Sequence, residues 1–382
     1  MEKQKNIPSL RFPEFIGEWE KKKLGDLVKI NQGLQIPISE RLTEQIEDSY
    51  FYITNEFLKS TSEKKYFIKN PNQSVICQKY DILMTRTGNT GMVVTNVEGA
   101  FHNNFFKVAY PDYINKGYLY NFLKLEKTQN LIKKMAGTST IPDLNHSDFY
   151  RIPMSFASLN EQTKIASFLT KVDEKLSALK KKKELLEQYK KGVMQQIFSQ
   201  ELRFKDDDGN DYPEWEEKTL GECLDYIQPI KYLVSSSEYD NSYITPVLTA
   251  GKTFILGYTN ETEGIYCDGL PVIIFDDFTT ATQFVDFPFK AKSSAMKILK
   301  SRNEVNIKFM HEAMQNLSYE IGGHERHWIS KFSPIQLLVP NKSEQDKIAE
   351  FVSTIDNKIS YCQSQIAKTE VWKKGLLQQM FC

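Results

Sequence analysis

One nine-residue pattern occurs twice in this chain, as KKGVMQQIF at 190–198 and as KKGLLQQMF at 373–381. The likeness extends backwards from both. Residues 161–198 align on 344–381 without a gap, and 16 of the 38 positions are identical, beginning with Glu161/Glu344 and Gln162/Gln345. A gapless repeat preserves helical register, and self-similarity of this kind constrains the architecture before any local motif does. In the first copy apolar residues fall at Ile165, Leu169, Val172, Leu176, Leu179, Leu186, Val193 and Ile197. In the second they fall at Ile348, Val352, Ile355, Ile359, Cys362, Ile366, Leu376 and Met380. Steps of four and three alternate, which is the seam of a coiled coil. A lone helix of this kind would leave its seam wet. The two helices are therefore expected to pack on each other, antiparallel, each roughly 57 Å long. Lys183, Lys190, Thr369 and Lys373 interrupt the seams. Lysine stems cover apolar surface while their heads reach outward, and such positions also mark places where another element touches.

A fainter repeat precedes each helix-bearing half: LRFPEFIGEWEKKKLGDL (10–27) and LRFKDDDGNDYPEWEEKTLGECL (202–224). The turn-rich KDDDGNDYP (205–213) marks the boundary between halves. Between lead-in and helix, residues 28–160 and 225–343 share little. Each mixes short β-like runs (74–96 and 105–111; 243–256, 271–286 and 294–300) with a helical stretch (116–136; 306–321). The expected class is α+β, in four segments: domain 1–160, helix 161–200, domain 201–343, helix 344–382. One frame with two different contents suggests two modules doing one job on two different targets.

The 382 residues carry 49 Lys plus Arg against 49 Asp plus Glu. A neutral chain is a poor candidate for nucleic-acid binding, so if it binds DNA the cationic surface must be local or supplied by a partner. Cys77, Cys223, Cys267, Cys362 and Cys382 form no C-x-x-C pair, which fits a reducing cytosol. The opening MEKQKNIPSLRF has no apolar core of a secretory signal, and no run of 18 apolar residues exists. A cytoplasmic protein is expected.

Catalytic motifs are missing. TAGKT (249–253) resembles a phosphate loop, but Pro246 stands where the first glycine is needed. GNTG (88–91) is no dinucleotide fingerprint, and no N/D-P-P-Y/F tetrapeptide for base methylation occurs. HERH (324–327) lacks further zinc ligands nearby, and Asp276-Asp277 lacks a Glu-x-Lys partner. The expectation is a non-catalytic chain with no cofactor of its own.

With EQ-x-KIA opening and KKG-x-x-QQ-x-F closing each helix, and LRFPEF-x-G-E-W near the start, the chain resembles the specificity subunit of type I restriction–modification enzymes. The resemblance covers nearly the whole chain. It departs at Ala157, where the family usually has proline in the turn before NEQ. It implies two target-recognition domains in a pseudo-two-fold arrangement, each reading half of a split sequence in double-stranded DNA. They are separated by an antiparallel pair of long coiled-coil helices that sets the spacer and docks two modification subunits. It further implies S-adenosylmethionine on those methyltransferase partners, ATP on restriction subunits, and a role in phage defence. The rival reading is a non-catalytic coiled-coil scaffold whose α+β domains bind proteins.

Base readout needs donors and acceptors on loops. In the first domain the candidates are Thr85, Arg86, Thr87, Asn89 and Thr90 around Gly88, then Asn103 and Asn104, and then Ser139, Thr140, Asn145 and His146. In the second they are Lys252, Thr253, Thr279, Thr280, Thr282, Gln283, Lys292 and Ser293, with Arg326, His327 and Trp328 in GGHERHWISK (322–331). Trp328 is either a wedge on DNA or a core residue.

Overall fold

The computed structural model describes residues 5–59, 64–251, 253–302, 305–317 and 327–382. The chain divides into two compact units, Met1–Lys180 with Ser364–Cys382, and Lys181–Gln363. The two long helices are Leu159–Phe198 and Lys342–Gln379. Each helix gives one end to each unit, so the packing units cut across the four segments read from the sequence.

Within the first unit, the start of the first helix lies against the end of the second. Ile165, Leu169 and Val172 share a core with Leu376, Met380 and Phe381. Phe168 meets Trp372 edge-on at 6.1 Å. Within the second unit the same happens with the roles exchanged: Val193, Met194 and Ile197 pack with Ile348 and Val352. In both units the pairing is antiparallel, as the matched seams require.

The interrupting lysines are held by ion pairs that repeat with the sequence. Lys373 pairs with Asp173 in the first unit. In the second, its counterpart Lys190 pairs with Asp356 at 2.8 Å and with Glu312 at 3.0 Å. Lys183 turns to Glu187 on its own helix. Lysine in the seam therefore does not weaken it at random, because each head is given a carboxylate.

The repeated EQ pair has a mechanical explanation. Glu161 takes Arg11 of the first LRF as a two-pronged fork at 2.7 and 2.8 Å, and Glu344 takes Arg203 of the second at 3.3 and 2.9 Å. Phe12 meets Phe168, and Phe204 meets Phe351, both edge-on. Gln162 accepts from the backbone N–H of Asn115 at 2.9 Å, and Gln345 from that of Asn306 at 2.8 Å. Those two asparagines are the N-caps of the domain helices Lys116–Lys124 and Ile307–Asn316. Glu thus ties each long helix to its lead-in, and Gln ties it to its domain. The other end of each glutamine donates to the carbonyl of Ala157 or Pro340, 2.8 Å in both cases. Only a backbone oxygen is needed there, so alanine in place of proline leaves the turn intact.

Each lead-in continues as a short strand, Glu20–Lys23 or Glu216–Thr219, paired antiparallel with the strand just before the long helix, Pro153–Phe156 or Gln336–Val339. Beyond it the domains differ. The first has a sheet of strands 29–32, 105–109, 82–85 and 93–94, in that order, and another of 67–69, 49–53, 99–101 and 76–77. The second has 224–227, 296–301, 272–276 and 282–285, and a three-stranded sheet of 255–259, 245–248 and 290–291. The helix expected at 116–136 is two helices, because Leu125 turns out of helical geometry at ψ 136 and buries its side chain. The Gln129 side chain recovers the Leu123 carbonyl freed by that break, at 2.6 Å. Among the described residues no helix is long and apolar enough to cross a membrane.

The second domain is seated on the helix pair by charge. Lys308 sits 2.9 Å from Glu312 and 2.6 Å from Asp356, the two acids that also hold Lys190. Burial works against the ionised Glu312, but His311, Lys308 and Lys190 outweigh it and bring its pKa down to about 2. An unfolded glutamate titrates near ~4.3, so this group stabilises the fold above that pH. The contribution, roughly 2–3 kcal/mol, is lost as pH falls toward 2. Urea midpoints at pH 5 and pH 3 should therefore converge in a Glu312→Gln variant relative to wild type. An unchanged pH dependence would remove Glu312 from the account.

Candidate nucleic-acid interface

In the first domain the strand Ile82–Thr85 runs into a tight loop whose path is set by Gly88 (φ 84°) and Gly91 (φ 92°). Thr85 is fully buried and serves the loop internally: its hydroxyl donates to the Asn89 carbonyl and accepts from the Met92 N–H at 2.9 Å. Thr90 is buried too, donating to the Pro142 carbonyl at 2.7 Å. Both were expected to touch DNA, and both instead shape the loop. Arg86 and Thr87 are half-buried and Asn89 is exposed.

The three candidate segments of this domain meet in one patch. The Arg86 N–H donates to the Asn104 carbonyl at 2.7 Å, and the Leu144 N–H donates to the Arg86 carbonyl at 2.9 Å. Arg86 Nη2 lies 2.6 Å from Asp143 Oδ2, and the Thr87 hydroxyl donates to the other oxygen of Asp143. Phe106 lies beneath, with the Arg86 guanidinium 5.6 Å and the His146 ring 4.8 Å from its centroid. Asn104 N–H donates to His102 Nδ1 at 3.1 Å, which needs a neutral imidazole. Burial, assisted by Arg41, lowers the His102 pKa to about 4 and keeps it neutral. Asn103 Nδ2 donates to Gln35 Oε1 at 3.0 Å. Asn145 caps the short helix His146–Arg151 through the Asp148 N–H, yet remains exposed, as do Ser139, Thr140 and His146.

Two residues of this patch escaped the sequence reading. Asp143 was invisible because its partners are 56 and 57 residues away. Asn55, in the turn that follows strand 49–53 of the other sheet, donates from Nδ2 to the Thr87 carbonyl at 3.0 Å and fills the space a Cβ on Gly88 would need. A loop glycine between Thr87 and Asn89 was the only hint of a neighbour that close.

In the second domain, Thr279, Thr280, Thr282 and Gln283 line one cleft with Gly251 and Gln315. Thr253 is exposed, and its carbonyl accepts from Thr249 at 2.7 Å. Thr282 is buried and bound by Gln315. Lys292 is exposed, donating to the Tyr239 hydroxyl at 3.0 Å, and Ser293 is exposed beside it. Lys252 and Arg326 lie outside the described residues.

His327 and Trp328 are not surface residues. Trp328 is 2 % exposed and packs against Phe275 at 5.3 Å, and His327 is wholly buried. Asp277 explains both: its side chain accepts the Trp328 N–H at 2.8 Å, its carbonyl accepts the His327 N–H at 3.0 Å, and Lys297 neutralises it at 3.2 Å. Asp276 is spent on the Phe278 and Thr279 N–H groups. The Asp276-Asp277 pair is thus a turn brace. Among the described residues no group of three or more His, Cys, Asp or Glu side chains converges as metal ligands would.

Comparison with known proteins bears on this geometry. A family model described as type I restriction modification DNA specificity domain matches residues 16–188 and 212–370. The EcoR124I/EcoR124II type I restriction enzyme specificity subunit of Escherichia coli is 50% identical over 141 residues, 36% of this chain and 35% of that one. The MjaVIII specificity subunit of Methanocaldococcus jannaschii is 29% identical over 243 residues, 62% of this chain and 55% of its own. These alignments span between about a third and just over half of the relatives' length. The crystal structure of a type I restriction–modification S subunit from M. genitalium superimposes with a TM-score of 0.67 at 19% identity, over 98% of this chain and 99% of that one, so the fold is shared end to end.

Proposed function

Since the chain belongs to the type I restriction–modification DNA specificity family, we propose that it is the sequence-reading subunit of such a complex, with each domain reading one half of a split DNA target. The observation that carries this reading is the convergence of three sequence-distant polar segments on one patch of the first domain, built on a frame the second domain repeats with different loops. Directional donors and acceptors held by a rigid scaffold are what base readout requires. A neutral chain supplies little phosphate attraction. Much of the affinity then comes from partners, two modification subunits that carry S-adenosylmethionine and restriction subunits that use ATP. The chain itself performs no chemistry in this reading and works in the cytoplasm. Two exposed aromatics, Tyr189 and Trp372, occupy equivalent positions of the two helix copies, one in each unit. That is the placement expected for docking two copies of one partner.

The test is selection from random duplex DNA by the chain reconstituted with its modification subunits. A bipartite motif with a fixed gap is expected. No enrichment of any motif would favour the scaffold reading, in which the domains bind proteins.

A further inference from the structure

Arg86 is placed unlike a phosphate-binding arginine. One N–H of its Nη2 goes to Asp143 at 2.6 Å, its guanidinium lies over Phe106, and its Nε is buried with no hydrogen-bond partner among the described residues. Its own backbone N–H and carbonyl are tied to Asn104 and Leu144. The side chain is 18 % exposed, against 43 % for Asp143. An ion pair this open contributes little to folding, so stability does not account for it. It also cancels most of the charge that would attract a phosphate. What remains is direction: a planar fork fixed on one side by a carboxylate and underneath by a ring. Among the described residues Nη1 has no partner, and Nη2 keeps a second N–H beside the one given to Asp143, so the outer edge of the guanidinium still presents two parallel donors. A fork of this kind matches two acceptors side by side, and in the major groove only guanine presents such a pair, O6 and N7.

We propose that Asp143 is a positioning residue that presents Arg86 to a guanine in the half-site read by the first domain. The inference rests on the DNA-reading function proposed above and goes further by naming the base and the residue that aims at it. Asp143 does two jobs here: it orients the guanidinium, and it masks its charge so that non-specific DNA holds it poorly. Thr87, bonded to the same carboxylate, fixes Asp143 in turn.

The experiment uses the reconstituted complex with Asp143→Asn and, separately, Arg86→Lys, which keeps the charge but has no fork. Methylated sites are mapped by single-molecule sequencing, and binding to non-specific duplex is followed against salt. Both variants should relax one guanine position about tenfold, in one half-site only. Asp143→Asn should also steepen the salt dependence of non-specific binding by about one ion, because Arg86 is unmasked. A merely structural role for Asp143 would not change that slope. Relaxation of both half-sites alike, or an unchanged slope with an unchanged motif, would overturn the proposal. A bipartite motif without guanine in either half overturns this assignment alone. The absence of any motif in the wild-type complex overturns the DNA-reading function, and this assignment with it.

Discussion

Replacing Glu344 by alanine should loosen the second unit by about 3 kcal/mol and leave the first unit untouched. Glu344 is wholly buried and satisfies three donors at once: two from the Arg203 fork and the indole N–H of Trp215 at 3.0 Å. Removing it takes the carboxylate from the guanidinium, which keeps only the Tyr212 and Pro213 carbonyls and a loose contact to Glu214, and takes the acceptor from the indole. The loss of a buried partner costs about 3–5 kcal/mol, and partial exposure of Arg203 puts this case at the lower end. The repeat supplies the control. Glu161 holds Arg11 in the same way, but the Trp19 indole N–H has no partner among the described residues. Glu161→Ala should therefore be milder and confined to the first unit. Hydrogen exchange read by peptide distinguishes the two. In Glu344→Ala, the paired strands 216–219 and 336–339 should exchange about a hundredfold faster while 20–23 and 153–156 keep their protection. Equal loss of protection in both units, or none in either, would show that Glu344 is not the local keystone argued here.

Much of this frame was legible because it is written twice. A gapless repeat fixes helix identity and register, and the seams at Ile165 to Ile197 and Ile348 to Met380 are buried or half-buried throughout. The Arg–Glu forks were legible only as motifs. LRF and EQ were recognised as recurring, but that Arg11 reaches Glu161 across 150 residues is a tertiary fact. Local chemistry misled at three places. Thr85 and Thr90 have the polarity of contact residues and spend it on their own loop. Trp328 follows a glycine-rich, charged stretch, yet Asp277 draws its backbone into the core. Leu125 ends a helix with no glycine or proline, because burying its side chain outweighs one turn of helical propensity. Three of the candidate segments do meet in one patch, but the side chains that brace it, Asp143 and Asn55, come from elsewhere in the chain, where no periodicity points.

Inserting seven residues into both long helices at matched points should lengthen the gap between half-sites by about three base pairs and leave both half-sites unchanged. The helices run unbroken for 40 and 38 residues, each starting in one unit and ending in the other. Seven residues add about 10.5 Å of helix, close to three base-pair steps of ~3.4 Å. A whole heptad returns the seam to the same face, so apolar partners and the two Lys–Asp pairs keep their register. Insertion in one helix alone is a different perturbation. An antiparallel pair then loses register on one side of the insertion, and either Lys190–Asp356 or Lys373–Asp173 is broken. That variant should assemble poorly rather than read a new gap. The best place for a double insertion is within 176–183 of the first helix and 362–369 of the second, where the first helix's seam residues Leu176, Leu179 and Lys183 are only half-buried and Lys183 pairs within its own helix. Mapping methylated sites in the double variant gives the gap directly. If the gap stayed constant while both half-sites were still read, helix length would not be the ruler, and the spacing would have to be set by the partners instead.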